Sequence, residues 1–273
     1  MTLADPAPAE TGIADRFAFA KELAEAAGLL ALDFFQRRDA LAVETKRHAQ
    51  DLVSEADRSV ETLIRERIAK AFPKDGILGE EFGLEPGSSG LTWVIDPIDG
   101  TSPFLNGMPN WCVSIGVSLG GEPVIGVIAA PCHRELYAAM RGGGATLNGA
   151  PIRVTDTLDL RSGVVGLGSN DRVPPSAVAG MIGNILEIGG GFIRNGSGAL
   201  MLAYVAAGRL VGYAEPSMNA WDCMAGHCLI LEAGGKVLPF PGDALTTPAR
   251  ILAATPGSFD ELDRLSAVSV PLR

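Results

Sequence analysis

The stretch Trp93 to Phe104 reads Trp-Val-Ile-Asp-Pro-Ile-Asp-Gly-Thr-Ser-Pro-Phe and sets two carboxylates, Asp96 and Asp99, at the end of an apolar run. Pro97 fixes its own φ and has no N–H to give to a ladder, so the chain is expected to leave the sheet and bend between the two acids. Both side chains can then face one pocket. The same bend leaves the Ile98 carbonyl without a sheet partner and free to act as a hard oxygen ligand. Two carboxylates and a carbonyl suit Mg²⁺. The Gly100-Thr101 pair that follows stands where a helix can begin, with its amides directed at a phosphate. The chemistry implied is metal-assisted work on a phosphate ester.

A layered scaffold has to position these groups. Apolar residues at Ile13, Phe17, Ala20, Leu23, Ala27, Leu30 and Phe34 form one helical stripe, and Val60, Leu63, Ile64, Ile68 and Ala71 form a second that ends at Pro73. Strand-like runs follow at 93–95, 112–119, 124–130 and 136–139, and Asn148-Gly149 marks a hairpin turn before Ile152. This first part is expected to be largely antiparallel sheet. After about Thr155 the pattern alternates: strands at 164–167, 192–194 and 210–213, helices at 175–187 and 198–207, an apolar helix opened by Trp221-Asp222, and runs at 236–238 and 251–254. The reading is a mixed α/β chain, with a disordered tail at 1–14 and one domain of two fused lobes, 15–154 and 155–273.

Composition narrows the function classes. A net charge of −10 over 273 residues argues against general nucleic-acid binding, because phosphates are repelled and an anionic ligand needs cations at its site. The first residues show no basic segment ahead of an apolar one, and no apolar run reaches membrane-spanning length. Cys112, Cys132, Cys223 and Cys228 lack Cys-x-x-Cys spacing and are expected to be free thiols, so the chain reads as a soluble cytoplasmic protein. Cys223 and His227 fall one helical turn apart, but Cys228 projects elsewhere and no fourth ligand is evident, so core packing is expected there rather than zinc.

The pattern Trp-x-Ile-Asp-Pro-Ile-Asp-Gly-Thr-x-x-Phe resembles the signature of the inositol monophosphatase family. It differs from the Asp-x-Asp-x-Thr of haloacid-dehalogenase phosphatases, which disfavours an aspartyl-phosphate route. Other segments match in the family's order: Asp51 to Asp57 with Lys46 at the matching basic position, Gly79-Glu80-Glu81, and Trp221-Asp222 opening a helix that ends in Glu232-Ala233-Gly234-Gly235. The resemblance spans roughly residues 16 to 260 and implies an α-β-α-β-α sandwich with its site between the lobes. It further implies that Glu80, Asp96 and the Ile98 carbonyl hold one Mg²⁺, that Asp96, Asp99 and Asp222 hold a second, and that a third is admitted near Glu80. Asp57 and Thr101 would pair to polarise the attacking water beside Glu80; Thr101 has a second reading as a residue whose hydroxyl caps the helix it opens. Lithium sensitivity and a homodimer are implied by the resemblance alone.

Substrate choice is less determined. Glu215 matches a family position where an acid accepts hydrogen bonds from inositol hydroxyls, although beside Pro216 it also reads as a solvated turn acid. Arg194 falls in a segment resembling the family's substrate loop, where it contacts phosphate or a partner subunit. Many members carry Thr-Asn-Phe where this chain has Ser102-Pro103-Phe104, so an amide side chain is missing near the substrate. The resemblance implies a phosphomonoesterase for inositol monophosphate or a similar sugar-alcohol phosphate. Histidinol-phosphate phosphatase, nucleotide 3'-phosphatase and a regulatory protein-binding member of the same fold remain the alternatives.

Overall fold

In the computed structural model, residues 12–38, 43–45, 52–156, 159–241 and 245–267 are described. Lys46 and residues 1–11 of the expected tail lie outside them. Helix α1, Ile13–Gln36, carries the first stripe and starts inside the span assigned to the tail. Strands β1, Val43–Thr45, and β2, Leu52–Ser54, pair antiparallel and lead into α2, Glu55–Ala71. Next come β3, Gly76–Gly79, β4, Gly83–Glu85, and β5, Leu91–Asp99, then the short α3, Thr101–Leu105. A meander follows: β6, Cys112–Leu119, β7, Glu122–Ala130, β8, Glu135–Met140, β9, Gly144–Leu147, and β10, Ala150–Ile152. The remainder alternates as β11, Val164–Leu167, α4, Pro175–Glu187, β12, Gly191–Ile193, α5, Gly198–Ala206, β13, Gly212–Met218, and α6, Ala220–Glu232. It closes with β14, Lys236–Val237, β15, Ala249–Ala254, and α7, Phe259–Ser266.

Two main sheets result. The larger runs β10-β9-β8-β7-β6-β5-β3-β4, antiparallel except where β3 lies parallel to β5. The smaller runs β12-β11-β13-β15-β14, with β12, β11 and β13 parallel. The β9–β10 turn has both Asn148 (φ 51°) and Gly149 (φ 80°) in the left-handed region, the geometry that a two-residue hairpin requires.

Alternation along the strands divides the core into layers. Trp93, Ile95, Val113, Ile115, Val117, Ile125 and Val127 face α1 and α2, while Val94, Cys112, Ile128 and Ala130 face α5 and α6 on the other side. α5 and α6 are buried on nearly every side because they lie between the two sheets. α4 and α7 cover the far face of the smaller sheet through Met181, Ile185, Leu262 and Leu265. The order is α-β-α-β-α. Gly126 lets α6 lie against the larger sheet, since a Cβ there would stand 2.1 Å from the Ala225 carbonyl oxygen. None of the helices among the described residues is long and apolar enough to cross a membrane.

Two strands depart from expectation in the same way. β5 does not stop at Pro97; it continues to Asp99 through a bulge, with Asp96 opposite Ser114 but Asp99 opposite Cys112. β13 extends past Pro216 through a second bulge, with Glu215 opposite Ile251 and Met218 opposite Ala249, so the strand expected at 210–213 is displaced towards Glu215. A proline is tolerated in a bulge because the extra residue there has no ladder bond to make. The inserted residue also resets the alternation: residues three apart, which a regular strand turns to opposite faces, come to the same face.

Candidate active site

Asp96 and Asp99 reach a common cavity by that bulge. Glu80 follows β3, and the β3–β5 register sets Gly79 beside Ile95, which carries Glu80 alongside Asp96. Asp222 arrives from the first turn of α6, where its carboxylate also accepts from the Asn219 amide at 3.2 Å. Carboxylate oxygens of Asp96, Asp99 and Asp222 lie within 4.8 Å of one another. The cavity they help to line measures about 820 Å³ and is shared by Glu80, Ile98, Gly100, Thr101, Arg194 and Glu215.

Electrostatics mark this cluster as incomplete by itself. Burial raises the Asp96 carboxyl well above the ordinary range, and Glu80, Asp99 and Asp222 push it further in the same direction. Burial and the nearby Asp99 raise Asp222 to about 7. Asp99 is raised by burial too, but is drawn back by donors at the start of α5: the Ser197 hydroxyl, and the Ala199 amide at 2.7 Å. Crowded, buried carboxylates need protons or cations. An all-oxygen donor set of this kind suits a hard divalent ion, so the residues present fit Mg²⁺.

The surrounding groups fall into two sets. On the larger sheet's side, the N-cap of α3 is Gly100, in the left-handed region at φ 98°, and the Thr101 hydroxyl belongs to the first helical residue. It lies 3.4 Å from Asp57 Oδ1 and 3.3 Å from the Ile98 carbonyl. Asp57 stands in the first turn of α2, almost wholly buried. Ile98 lines the cavity, and its carbonyl oxygen has a lone pair beyond the one that Thr101 engages.

On the smaller sheet's side, the groups come from the carboxyl ends of parallel strands, the usual place for a ligand crevice in such sheets. Glu215 is 8 % exposed on β13, not a solvated turn acid. Its Oε2 accepts from Tyr213 Oη at 2.5 Å and its Oε1 from Asn170 Nδ2 at 2.9 Å. Burial raises its pKa against the pull of those two donors. Asn170 also donates to the Ser217 carbonyl, and Arg172 donates to Ser217 Oγ at 3.0 Å. Arg194 is exposed and donates to the Ser169 carbonyl at 3.2 Å. Pro103 packs on Gly196, where a Cβ would come within 2.7 Å of its ring, so the proline at 103 braces the segment that carries Arg194. Away from the cavity, Cys223, His227 and Cys228 are buried inside α6, with Cys223 Sγ contacting the carbonyls of Asn219 and Ala220, in keeping with core packing.

The match to known proteins agrees with this arrangement. The model of the inositol monophosphatase family matches residues 14–269. The chain belongs to the inositol monophosphatase family. It is 38 % identical over 244 residues to a Nus factor SuhB of Pasteurella multocida, covering 88 % of this chain and 91 % of that protein. It is 40 % identical over 225 residues to a histidinol-phosphatase of Chlorobaculum parvum, covering 82 % and 85 %. An inositol-1-monophosphatase of Rhizobium meliloti is 43 % identical over 215 residues, covering 76 % and 78 %. The crystal structure of the extragenic suppressor protein suhB of Bartonella henselae superposes with a TM-score of 0.84 at 34 % identity, covering 91 % of this chain and 96 % of that one.

Within this family frame, three residues at the site escaped the sequence reading: Ser197, Asn170 and Tyr213. Ser197 had a signal, since Ser-Gly ahead of the apolar run Ala199 to Val205 is a helix start, and its hydroxyl does accept from the Leu200 amide. Asn170 had none, because it acts through Glu215, which is distant in sequence; Tyr213 had only its i, i+2 spacing to Glu215 on one strand.

Proposed function

We propose that this chain is a Mg²⁺-dependent phosphomonoesterase acting on inositol monophosphate or a similar sugar-alcohol phosphate. The observation that carries the reading is the cavity, with clustered acids on one wall and the pinned Glu215 on the other. Glu80, Asp96, Asp99, Asp222 and the Ile98 carbonyl would hold the ions, two by family analogy and a third near Glu80. Bound Mg²⁺ would supply charge neutralisation of the phosphate and acidification of the attacking water. The Thr101 hydroxyl, donating towards Asp57, presents an oxygen lone pair that orients the water. The amides of Gly100 and Thr101, and the Arg194 guanidinium, would receive the phosphate and the ester group, a reading supported by all three residues lining the cavity. Glu215 accepts from substrate hydroxyls, and its fixed carboxylate selects a ligand rich in donors. Water oxygen joins phosphorus, the ester P–O bond breaks, and the alcohol leaves with one proton.

By family analogy the enzyme is a homodimer, and its free cysteines suit the cytoplasm. Exposed Phe192 and Ile193 on the edge strand β12 offer a face for a second copy, which light scattering tests. The decisive assay is phosphate release from inositol 1-phosphate, histidinol phosphate, fructose 1,6-bisphosphate and adenosine 3',5'-bisphosphate, with Mg²⁺, with EDTA and across a lithium titration. Mg²⁺-dependent preference for the inositol ester, inhibited by millimolar lithium, is expected. Preference for histidinol phosphate would overturn the polyol reading. Mg²⁺ binding without turnover of any ester would favour a protein-contact role, the direction in which the name of the Nus factor relatives points.

A further inference from the structure

Helix α2 brings a second acid to the site, one turn beyond Asp57. Glu61 has no exposed surface, yet it does not line the cavity. Its Oε2 accepts from the Glu81 amide at 2.8 Å and its Oε1 from the Phe82 amide at 3.2 Å. Arg65, one turn further along, donates to Glu61 Oε1 at 2.7 Å and also to the Gly83 carbonyl. The Arg65 guanidinium lies 5.8 Å from the centre of the Phe82 ring. The carboxylate sits so close to the chain that a Cβ on Gly79 would stand 2.2 Å from Glu61 Oε1.

These contacts surround Glu80. The Glu81 N–H belongs to the peptide plane that contains the Glu80 carbonyl, so holding that amide fixes ψ of Glu80 and the direction in which its side chain leaves the backbone. Glycine at 79 permits the approach, and a fully buried carboxylate gives each amide a charge-assisted bond. Burying an acid and an arginine beside a turn costs desolvation, and a bulky apolar pair would seal the same space without it. What the ionic pair adds is orientation.

We propose that Glu61, clamped by Arg65, is a positioning residue for Glu80 that sets the affinity of the acid cluster for its divalent cation. The inference rests on Glu80 being a cation ligand. Outer-shell partners of metal ligands are worth about 10- to 100-fold in metal affinity, and the two amide bonds place Glu61 in that range.

The test is calorimetric titration of the full-length protein with Mg²⁺ alone, for the wild type, Glu61→Gln, Glu80→Gln, the double variant and Arg65→Gln, with circular dichroism confirming the fold. Glu61→Gln is expected to weaken Mg²⁺ binding by about tenfold or more. Combined with Glu80→Gln it should add nothing further, because its effect runs through that side chain. A merely structural role predicts losses that add in full, and that result overturns the proposal, as does a folded Glu61→Gln protein with wild-type affinity. Should Glu61→Gln fail to fold, Arg65→Gln decides: several-fold weaker Mg²⁺ binding supports the clamp, and unchanged binding removes it. A Glu80→Gln protein with wild-type affinity overturns the ligand assignment together with this inference. A weakened Glu80→Gln beside an unaffected Glu61→Gln overturns the role of Glu61 alone.

Discussion

Gly168, at the carboxyl end of β11, is the most direct place to test how the cavity holds its substrate. Its amide donates to the Ala214 carbonyl at 2.9 Å, and its φ is not in the left-handed region, so alanine is acceptable to the backbone. What alanine meets is Glu215: the new Cβ would stand 2.1 Å from Oε2 and 2.3 Å from Tyr213 Oη. Relieving the overlap moves the carboxylate by roughly 1 Å, which breaks its bond to Tyr213 or to Asn170. A hydrogen bond to a charged group is worth about 1.5–3 kcal/mol, and each 1.4 kcal/mol is about tenfold in affinity. In Gly168→Ala, kcat/KM for the inositol ester should therefore fall by about 10- to 100-fold, carried mainly by KM. The control is 4-nitrophenyl phosphate, which has no hydroxyl to offer Glu215 and should be hydrolysed at the wild-type rate, with Mg²⁺ affinity unchanged. A wild-type KM for the inositol ester, or equal loss on both esters, would refute the assignment of Glu215.

Two further expectations concern charge. Asp96→Asn should reduce turnover by more than about a hundredfold, since it removes a ligand where even outer-shell partners reach that size. The same change relieves repulsion among buried carboxylates, so in EDTA the variant should melt higher than the wild type, and Mg²⁺ should no longer raise its melting temperature. His227 tests the core. Buried in α6 with no hydrogen-bond partner at Nε2, it is lowered by burial from 6.5 to about 4. Between those values the unfolded chain binds the extra proton, so the contribution of His227 to stability is complete above its unfolded pKa and is lost as pH falls towards 4. Urea unfolding in EDTA should show the wild type losing about 2 kcal/mol more than His227→Met between pH 7.5 and pH 5. Parallel losses would mean that the imidazole is not buried neutral. The comparison is needed because the acid cluster has the opposite sign: carboxyls raised by burial gain protons on acidification and lend stability to the metal-free fold.

Regular elements were legible where periodicity ran uninterrupted: β6, Cys112–Leu119, β11, Val164–Leu167, and α4, Pro175–Glu187, lie where the pattern predicts. The two errors at the site share one cause. Pro97 reads as a strand end because proline forfeits a ladder bond, and Pro216 gave Glu215 its alternative reading as a turn acid; in each case a one-residue bulge lets the strand run on. Sequence alone carries no mark of a bulge, since its position depends on the partner strand. The acids of the cluster could be read because each lies in a compact motif. Glu61 and Asn170 could not, because each acts on residues brought close only by folding, and a buried Glu on a helix reads as a surface one; Tyr213, two residues from Glu215 on one strand, becomes readable only once β13 is known to run past Pro216. The short edge strand β4 and the terminal helix α7 gave too few periods to detect.

The walls of the cavity have separate origins. Asp96, Asp99 and Glu80 belong to the larger sheet, whereas Asn170, Arg194 and Glu215 hang from the ends of β11, β12 and β13 in the smaller one. Inheritance therefore meets two halves joined at one seam, where the start of α5 holds Asp99. Substitutions at 168–172 and at Arg194 would reshape the smaller sheet's wall while leaving the larger sheet's acids in place, whereas Ser197 cannot change without reaching Asp99. A lineage built this way would be free to vary the loops of the smaller sheet and bound to keep that seam.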